Sequence, residues 1–459
     1  MTASVGRKKV GTNLTEGPIL KGLLMFAVPI VLANLLQQLY SMVDLMVIGK
    51  YVGSIGTVGV NTGGEMADLV TPVAMGFSTA GQIYIAQLFG ARQEDRIKKT
   101  VGTLLTFMFG ASILLGILVI VFNVQLLNLL NCPSEAMGQA QSYMIITAMG
   151  FPFIFGYNAV CGVLRGMGES KRPLFFVTVA ASINIVLDLL FVVVFKMEAA
   201  GTALATIASQ FGSFAAAFYF LYQKKEQFDF ELKLSYFKLD MDSLKVLVRL
   251  GIPQVVRSMF VRMGMLWVNS NVNSYGLVVS STNSIGNKLQ KFLEVFIQGI
   301  DTACASMIGQ NLGAKKIDRA KNTLYCTVAS VLVCATVSAL ICIFIPTQIF
   351  GLFTSDPEVL ALGKTFLRIF IIHFYSSAIT GSFQSMVTGS GFVELGFIIG
   401  VLDGLICKIG FGLLFMNFFN PGYLGIWVGV ACSRILPGMI SIVYFYSGKW
   451  KTRKLLTEK

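Results

Sequence analysis

The chain of 459 residues is 55% hydrophobic and only 13% charged, with a mean hydropathy of +0.72 and a formal net charge of +13. Soluble domains carry about twice that charged fraction, so a soluble enzyme or nucleic-acid-binding domain is excluded and a polytopic membrane protein is expected. A single histidine and eight cysteines without a CxxC pair offer neither a metal-site pattern nor a disulfide framework. The first apolar run follows a polar leader and is too long for a signal-peptide core, so no cleavable signal is expected.

Hydropathy predicts twelve spans, at 19–49, 57–88, 100–122, 136–163, 173–195, 201–222, 244–269, 280–310, 320–344, 358–385, 393–416 and 425–447. The first contains FAVPIVLANLLQQLYSMVDLMVIG, Phe26 to Gly49, with Pro29 close to its start. Asn34, Gln37, Gln38, Ser41 and Asp44 recur there at spacings of three and four, one polar stripe on an apolar helix. Such a stripe is costly against lipid and is expected to face the bundle interior. Tyr143 and Thr147 share a face of span 4, Asn184 and Asp188 lie at i and i+4 on span 5, and Thr202, Thr206 and Ser209 share a face of span 6. Later spans hold Arg257 and Arg262, then Lys291, Glu294, Gln298 and Asp301, then Asp403 and Lys408, most simply read as neutralised pairs, with the lining of a cavity as the alternative.

Lys and Arg crowd alternate loops: Arg7–Lys9, Arg92–Lys99, Arg165–Arg172, Lys224–Lys238, Lys315–Lys321 and Lys449–Lys454. The loops between, 123–135, 270–283, 345–357 and 417–424, contain none. The positive-inside rule then predicts a multi-pass protein of the cell membrane with both termini cytoplasmic.

The chain also repeats itself. QLFGARQEDR at 87–96 answers QNLGAKKIDR at 310–319, 223 residues on, and LKGLLMFAVP at 20–29 answers LKVLVRLGIP at 244–253, 224 residues on. Gly166 and Gly168 answer Gly389 and Gly391, and Gly201 with Ser209 answers Gly425 with Ser433. The predicted fold is therefore all-α: two pseudo-symmetric six-helix bundles, 1–222 and 244–459, joined by a cytoplasmic linker at 223–243.

The halves are unequal in chemistry. By the repeat offset, Asp44, Tyr143, Asn184, Asp188 and Thr206 correspond to Val268, Phe366, Cys407, Phe411 and Val430. A constellation of two carboxylates, an amide and hydroxyls survives in the first half only. Two partly desolvated carboxylates make a proton site, and with amide and hydroxyl oxygens they offer hard ligands to Na⁺. Glu65 and Asp68 correspond to Lys288 and Lys291, which suggests an extracellular ionic latch; its competitors are local pairing of Lys291 with Glu294, one turn apart, and a role of Glu65 and Asp68 as contacts to a cationic substrate.

Taken together, LTEGPILKGLLMFAVPIVLANLLQQLYSMVDLMVIGKYVG, GQIYIAQLFGAR, LRGMGESKRP, NIVLDLLFVVV, GTALATIASQ and the echo IGQNLGAKK resemble the multidrug and toxic compound extrusion (MATE) family, over residues 15–447. The resemblance implies two six-helix lobes that open alternately to each side. It implies export of bulky, often cationic compounds in exchange for H⁺ or Na⁺. It implies a first-lobe cation site at Asp44, Asn184, Asp188 and Thr206 with Tyr143 nearby, and a first helix that bends at Pro29. Two positions depart from the pattern: span 7 has Arg257 and Arg262 where some branches carry a cation-binding glutamate, and Leu189 stands where a proline often follows the span 5 aspartate.

The expected function is thus secondary active efflux of organic, often cationic, amphipathic compounds. Asn34, Gln37, Gln38, Tyr40, Ser41 and Asn158 are the candidate substrate-cavity residues. The rival reading is a flippase or exporter of a lipid-linked or amphipathic metabolite, which calls for a basic cavity rather than this acidic stripe. No GxxxxGK[ST] loop and no HExxH motif occur, so no enzyme and no cofactor beyond the coupling H⁺ or Na⁺ are expected. Small organic molecules and membrane lipid are the expected partners of a monomer, with no nucleic acid.

Overall fold

A computed structural model of the chain describes residues 11–224, 238–418 and 422–458. The Arg7–Lys9 cluster and most of the expected linker, 225–237, lie outside the described residues. The described chain is helical throughout. Its first half runs α1 (Ile19–Tyr51), α2 (Gly53–Gly90), α3 (Glu94–Val121), α4 (Asn123–Leu129), α5 (Met137–Met149), α6 (Phe151–Gly166), α7 (Lys171–Asp188) and α8 (Glu198–Gln223). Its second half runs α9 (Met241–Asn273), α10 (Leu277–Gly313), α11 (Ile317–Phe344), α12 (Pro346–Gly351), α13 (Pro357–Gly389), α14 (Val393–Val401), α15 (Cys407–Phe418), α16 (Gly422–Cys432), α17 (Ile435–Tyr446) and α18 (Lys449–Thr452). π-helical turns, Leu189–Val194 and Leu402–Ile406, link α7 to α8 and α14 to α15.

Among the described residues ten helices are long and apolar enough to cross a membrane, and the bent pair α5–α6 makes an eleventh span. The predicted seventh span is α9. It is long enough, at 33 residues, but Lys245, Arg249, Arg257 and Arg262 keep its composition below that of an ordinary lipid-crossing helix. The α5–α6 pair bends by 45° at Gly150, where Pro152 removes a backbone donor and the helix ladder cannot continue. A Cβ on Gly150 would meet Ile207 at 2.6 Å, so glycine also sets the distance to α8.

The repeat is written into the backbone. α3 and α11 are both 28 residues long and start 223 positions apart. Arg92 and Lys315, also 223 apart, adopt left-handed φ of 56° and 59° just beyond the ends of α2 and α10. Each ends its helix with the same reversal, an unusual conformation for residues other than glycine. Gly63 and Gly286 lie against Tyr143 and Phe366 in the same way: a Cβ would meet the tyrosine at 3.2 Å and the phenylalanine at 2.2 Å.

Two compact units are present. Unit 1 comprises Met1–Glu16 with Leu36–Val248, and unit 2 comprises Gly17–Leu35 with Arg249–Lys459. The unit boundaries therefore fall inside α1 and α9 rather than at the linker. In unit 1, α2 packs on α5 and α6, and α7 on α8. The start of α9 runs along α3 through the Thr100–Ser243 hydroxyl contact of 3.2 Å and the Asp240 amide donating to Thr103 Oγ1 at 3.0 Å. In unit 2, α13 packs on α10, α11, α16 and α17. The first half of α1 lies along α10, where a Cβ on Gly299 would strike Val31. Leu114, Ile117 and Val121 of α3 and Val333, Val337 and Phe344 of α11 are exposed apolar residues, as expected of lipid-facing surface.

Candidate functional site

The first-half constellation gathers in unit 1. Asp44 comes from α1, Tyr143 from α5, and Asn184 and Asp188 from adjacent turns of α7. Asp188 is fully buried and Asn184 is 1% exposed, while Asp44 and Tyr143 are half-buried. The carboxyls of Asp44 and Asp188 lie within electrostatic range of one another. The Tyr143 phenol lies within electrostatic range of both, and of Asp68; Tyr40 lies within range of Asp44.

The polar atoms of the site leave their hydrogen-bonding capacity unused. Both carboxylate oxygens of Asp188, Oδ1 of Asp44, both amide atoms of Asn184 and Oγ1 of Thr202 are buried without a hydrogen-bond partner among the described residues. Buried polar groups are almost always paired, and an unpaired buried carboxylate costs several kcal/mol. Two facing carboxylates are acceptors only; a proton shared between them, or a cation ligated by both, removes the conflict.

Local structure adds to this. Asp188 is the last α-helical residue before the π-turn at Leu189, so the helical ladder is interrupted directly after this carboxylate. Thr206 donates its hydroxyl to the Thr202 carbonyl at 3.0 Å, within its own helix, while the neighbouring Thr202 hydroxyl is the buried, unpartnered one. Asn158 likewise turns its amide to the Ile154 carbonyl at 2.8 Å, and its own carbonyl accepts from Ser78. Along α1, Asn34, Gln37 and Tyr40 are half-buried and Gln38 and Ser41 exposed; Asn34 falls in unit 2 and the others in unit 1. Pro29 lies within a helix that continues through it. Glu65 and Asp68 are exposed on α2 of unit 1, and Lys288 and Lys291 are exposed on α10 of unit 2.

The corresponding positions of unit 2 are apolar core: Val268, Phe366, Cys407 and Val430 are all buried. Unit 2 instead holds a charged network that sequence reading saw only in part. Glu294 and His373 meet at 2.6 Å, Gln290 lies 2.9 Å from the same imidazole nitrogen, and Ser377 donates to Glu294. Arg434, which sequence reading did not single out, reaches Ser377 and Asp403. Its signal was a lone arginine inside the apolar run 425–447. No group of three or more His, Cys, Asp or Glu side chains able to hold a metal occurs among the described residues.

A twofold-repeated, all-helical, multi-pass chain with buried polar side chains inside its helix bundles has the build of a membrane transporter. The family model named MatE matches residues 29–190 and 253–414, one copy in each half, and the chain belongs to that family. It is 28% identical over 448 residues to the probable multidrug resistance protein YpnP of Bacillus subtilis, covering 97% of this chain and 99% of that one. It is 26% identical over 439 residues to the probable multidrug resistance protein YoeA of the same organism, covering 94% of each. A MATE protein crystallised in complex with MaD3S superposes with a TM-score of 0.91 at 19% identity, covering 97% of this chain and all of that one.

Proposed function

We propose that this protein exports organic, often cationic, amphipathic compounds across the cell membrane in exchange for H⁺ or Na⁺. The observation that carries the reading is the Asp44–Asp188 pair, three of whose carboxylate oxygens lie buried without a hydrogen-bond partner among the described residues, in one half of a duplicated bundle. The similarity to probable multidrug resistance proteins supports the substrate class. Both termini are cytoplasmic in this reading, following the charge of the loops.

In the proposed cycle, H⁺ or Na⁺ from outside neutralises Asp44 and Asp188, with Asn184 and the threonines of α8 supplying neutral oxygens and Tyr143 bordering the pair. α1 then rearranges near Pro29, where one backbone hydrogen bond is already missing. The polar stripe of α1, Asn34, Gln37, Gln38, Tyr40 and Ser41, with Asn158, loses its hold on the drug, which leaves outward. Release of the cation inward restores the negative charge that attracts the next cationic substrate. Exchange follows because the two ligands compete for one charge.

Purified protein in liposomes, assayed for ethidium-type efflux under separate pH and Na⁺ gradients, tests this. One gradient is expected to drive transport, and Asp44→Asn and Asp188→Asn are each expected to lower gradient-driven transport at least about 100-fold. Gradient-driven transport that survives both substitutions refutes the assignment.

A further inference from the structure

The turn that joins the two helices α7 and α8 of unit 1 is held in a costly backbone conformation. After Asp188 the chain runs through the π-turn Leu189–Val194 and reverses through Lys196 and Glu198. Their φ values of 52° and 51° are left-handed, at residues that carry side chains. The reversal closes on itself: the Met197 amide donates to the Phe191 carbonyl at 2.9 Å, and a Cβ on Gly201 would meet the Met197 side chain at 2.9 Å. Its far end is tied to α5, where Gln139 Nε2 donates to Glu198 Oε2 at 2.7 Å. Gln139 lies one turn before Tyr143 on the same face of α5, and bare backbone of α2 at Gly59 and Gly63 seats the two side chains.

Beside this turn lies an apolar plug. Ile48 of α1, Val60 of α2 and Ala199 of α8 form one buried cluster, with Val52 and Tyr143 packed against it. Ile48 follows Asp44 by one turn of α1, and Ala199 precedes Thr202 by one turn of α8. The plug is therefore one turn from the carboxylate site on two of its helices. The same corner of unit 2 is filled differently. At the repeat offset, Val60, Ala199 and Ala203 answer Asn283, Tyr423 and Trp427. There the Trp427 indole donates to Asn283 at 3.1 Å, and the Tyr423 ring meets those of Trp427 and Tyr275 edge-on, at 5.2 and 5.6 Å between centroids. Gln139 and Glu198 answer Leu362 and Gly422, so unit 2 has no counterpart of their bond. Unit 2 closes the corner with large rings and a buried hydrogen bond. Unit 1, which alone holds the carboxylate pair, closes it with small residues and a polar tie at the surface.

We propose that Ile48, Val60 and Ala199 form an outer gate over the Asp44–Asp188 site, and that Glu198 and Gln139 are its latch. The proposal rests on the exchange reading above. With the latch made, the apolar plug is a dry constriction that a hydrated cation does not cross. With the latch broken, the turn relaxes from its left-handed residues and Ala199, the first residue after Glu198, withdraws from Ile48 and Val60. Water and the coupling cation then reach the carboxylates from the side of the α7–α8 turn. Glu198 and Gln139 are positioning residues in this scheme: they touch no bound cation and act through the place of Ala199.

Thr202→Cys, one turn inside the plug, reports the gate. Full-length protein in intact cells is treated with a membrane-impermeant maleimide, and labelling is read by mass spectrometry on the peptide that contains position 202. Glu198→Ala, and Gln139→Leu with the residue type that unit 2 carries there, are each expected to raise the labelling rate about fivefold to tenfold, the worth of one hydrogen bond to a charged group at the surface. Glu198→Gln, whose side chain still accepts from Gln139, is expected to stay within about twofold of the parent. Ser213→Cys, at a buried position three turns further along α8, controls for general loosening and is expected to be unaffected by the latch variants. An unchanged rate at position 202 in the folded latch variants, or an equal rise at 202 and 213, overturns the proposal. The readout needs no transport. If labelling rises as expected while the liposome assay shows no gradient-driven efflux, the gate stands and the exchange reading fails. A rise confined to inside-out vesicles reverses the assigned orientation and leaves the gate in place.

Discussion

Tyr143 shows what a single atom does in this protein. Phe366 occupies the equivalent niche of unit 2, against Gly286 as Tyr143 lies against Gly63, and there the ring stacks on Phe370 at 4.2 Å. The scaffold thus accepts the ring without its hydroxyl, while the hydroxyl in unit 1 borders two carboxylates. Tyr143→Phe is expected to keep thermal stability within about 0.5 kcal/mol. It is also expected to raise the half-saturating cation concentration in liposome transport about threefold to tenfold, as loss of one polar contact to a charged site predicts. Equal cation dependence in the two proteins would remove Tyr143 from the site. The two aspartates were legible in the sequence because an acid in an apolar run stands out and the repeat exposes its missing twin. Which threonine hydroxyl of α8 stays unpartnered was not. Thr202 and Thr206 share a face, and only the χ1 rotamer decides that Thr206 bonds back to its own helix.

At the level of elements, helix spacing is set by glycines and helix starts by a few caps. A Cβ on Gly63 would come within 2.7 Å of the Ala140 carbonyl, whereas one on Gly64 would make ordinary contact with Tyr143 at 3.6 Å. Gly63→Ala is expected to cost about 1–3 kcal/mol by forcing α2 from α5, and Gly64→Ala less than about 0.5 kcal/mol. Comparing their thermal unfolding measures the difference. Asp240 accepts the Ser243 amide at 2.9 Å at the start of α9, and the Ser243 hydroxyl first, then this amide, with Lys99 and Arg96 nearby, hold its carboxyl below the ordinary value of 3.8. A depressed carboxyl stabilises the fold above its ordinary value and loses that contribution as pH falls through the folded value. Asp240→Ala is therefore expected to loosen the first turn of α9 by about 1 kcal/mol near neutrality, read as faster amide exchange at residues 241–247, with the difference fading in acid. Span positions followed from hydropathy. The 45° bend at Gly150 and the two π-turns did not, because the run 136–163 is apolar throughout and a ladder break at Leu189 has no local residue signature.

The whole molecule is a duplicated scaffold with unlike contents. Its twofold repeat was plain from sequence offsets and recurs in matched helix lengths and matched left-handed residues. The charged network of unit 2 was only half visible, since pairing Arg434 with Asp403 and Ser377 requires residues far apart in the chain to meet. The compact units also do not follow the halves of the chain. Residues 17–35 belong with the second half and 241–248 with the first. Each half of the gene product thus lends an arm to the other. Expressed alone, 1–224 and 225–459 should each lack a strut that its neighbour provides, and neither is expected to survive detergent extraction as a monodisperse species. Made together from two messages, they are expected to co-purify without any covalent tether.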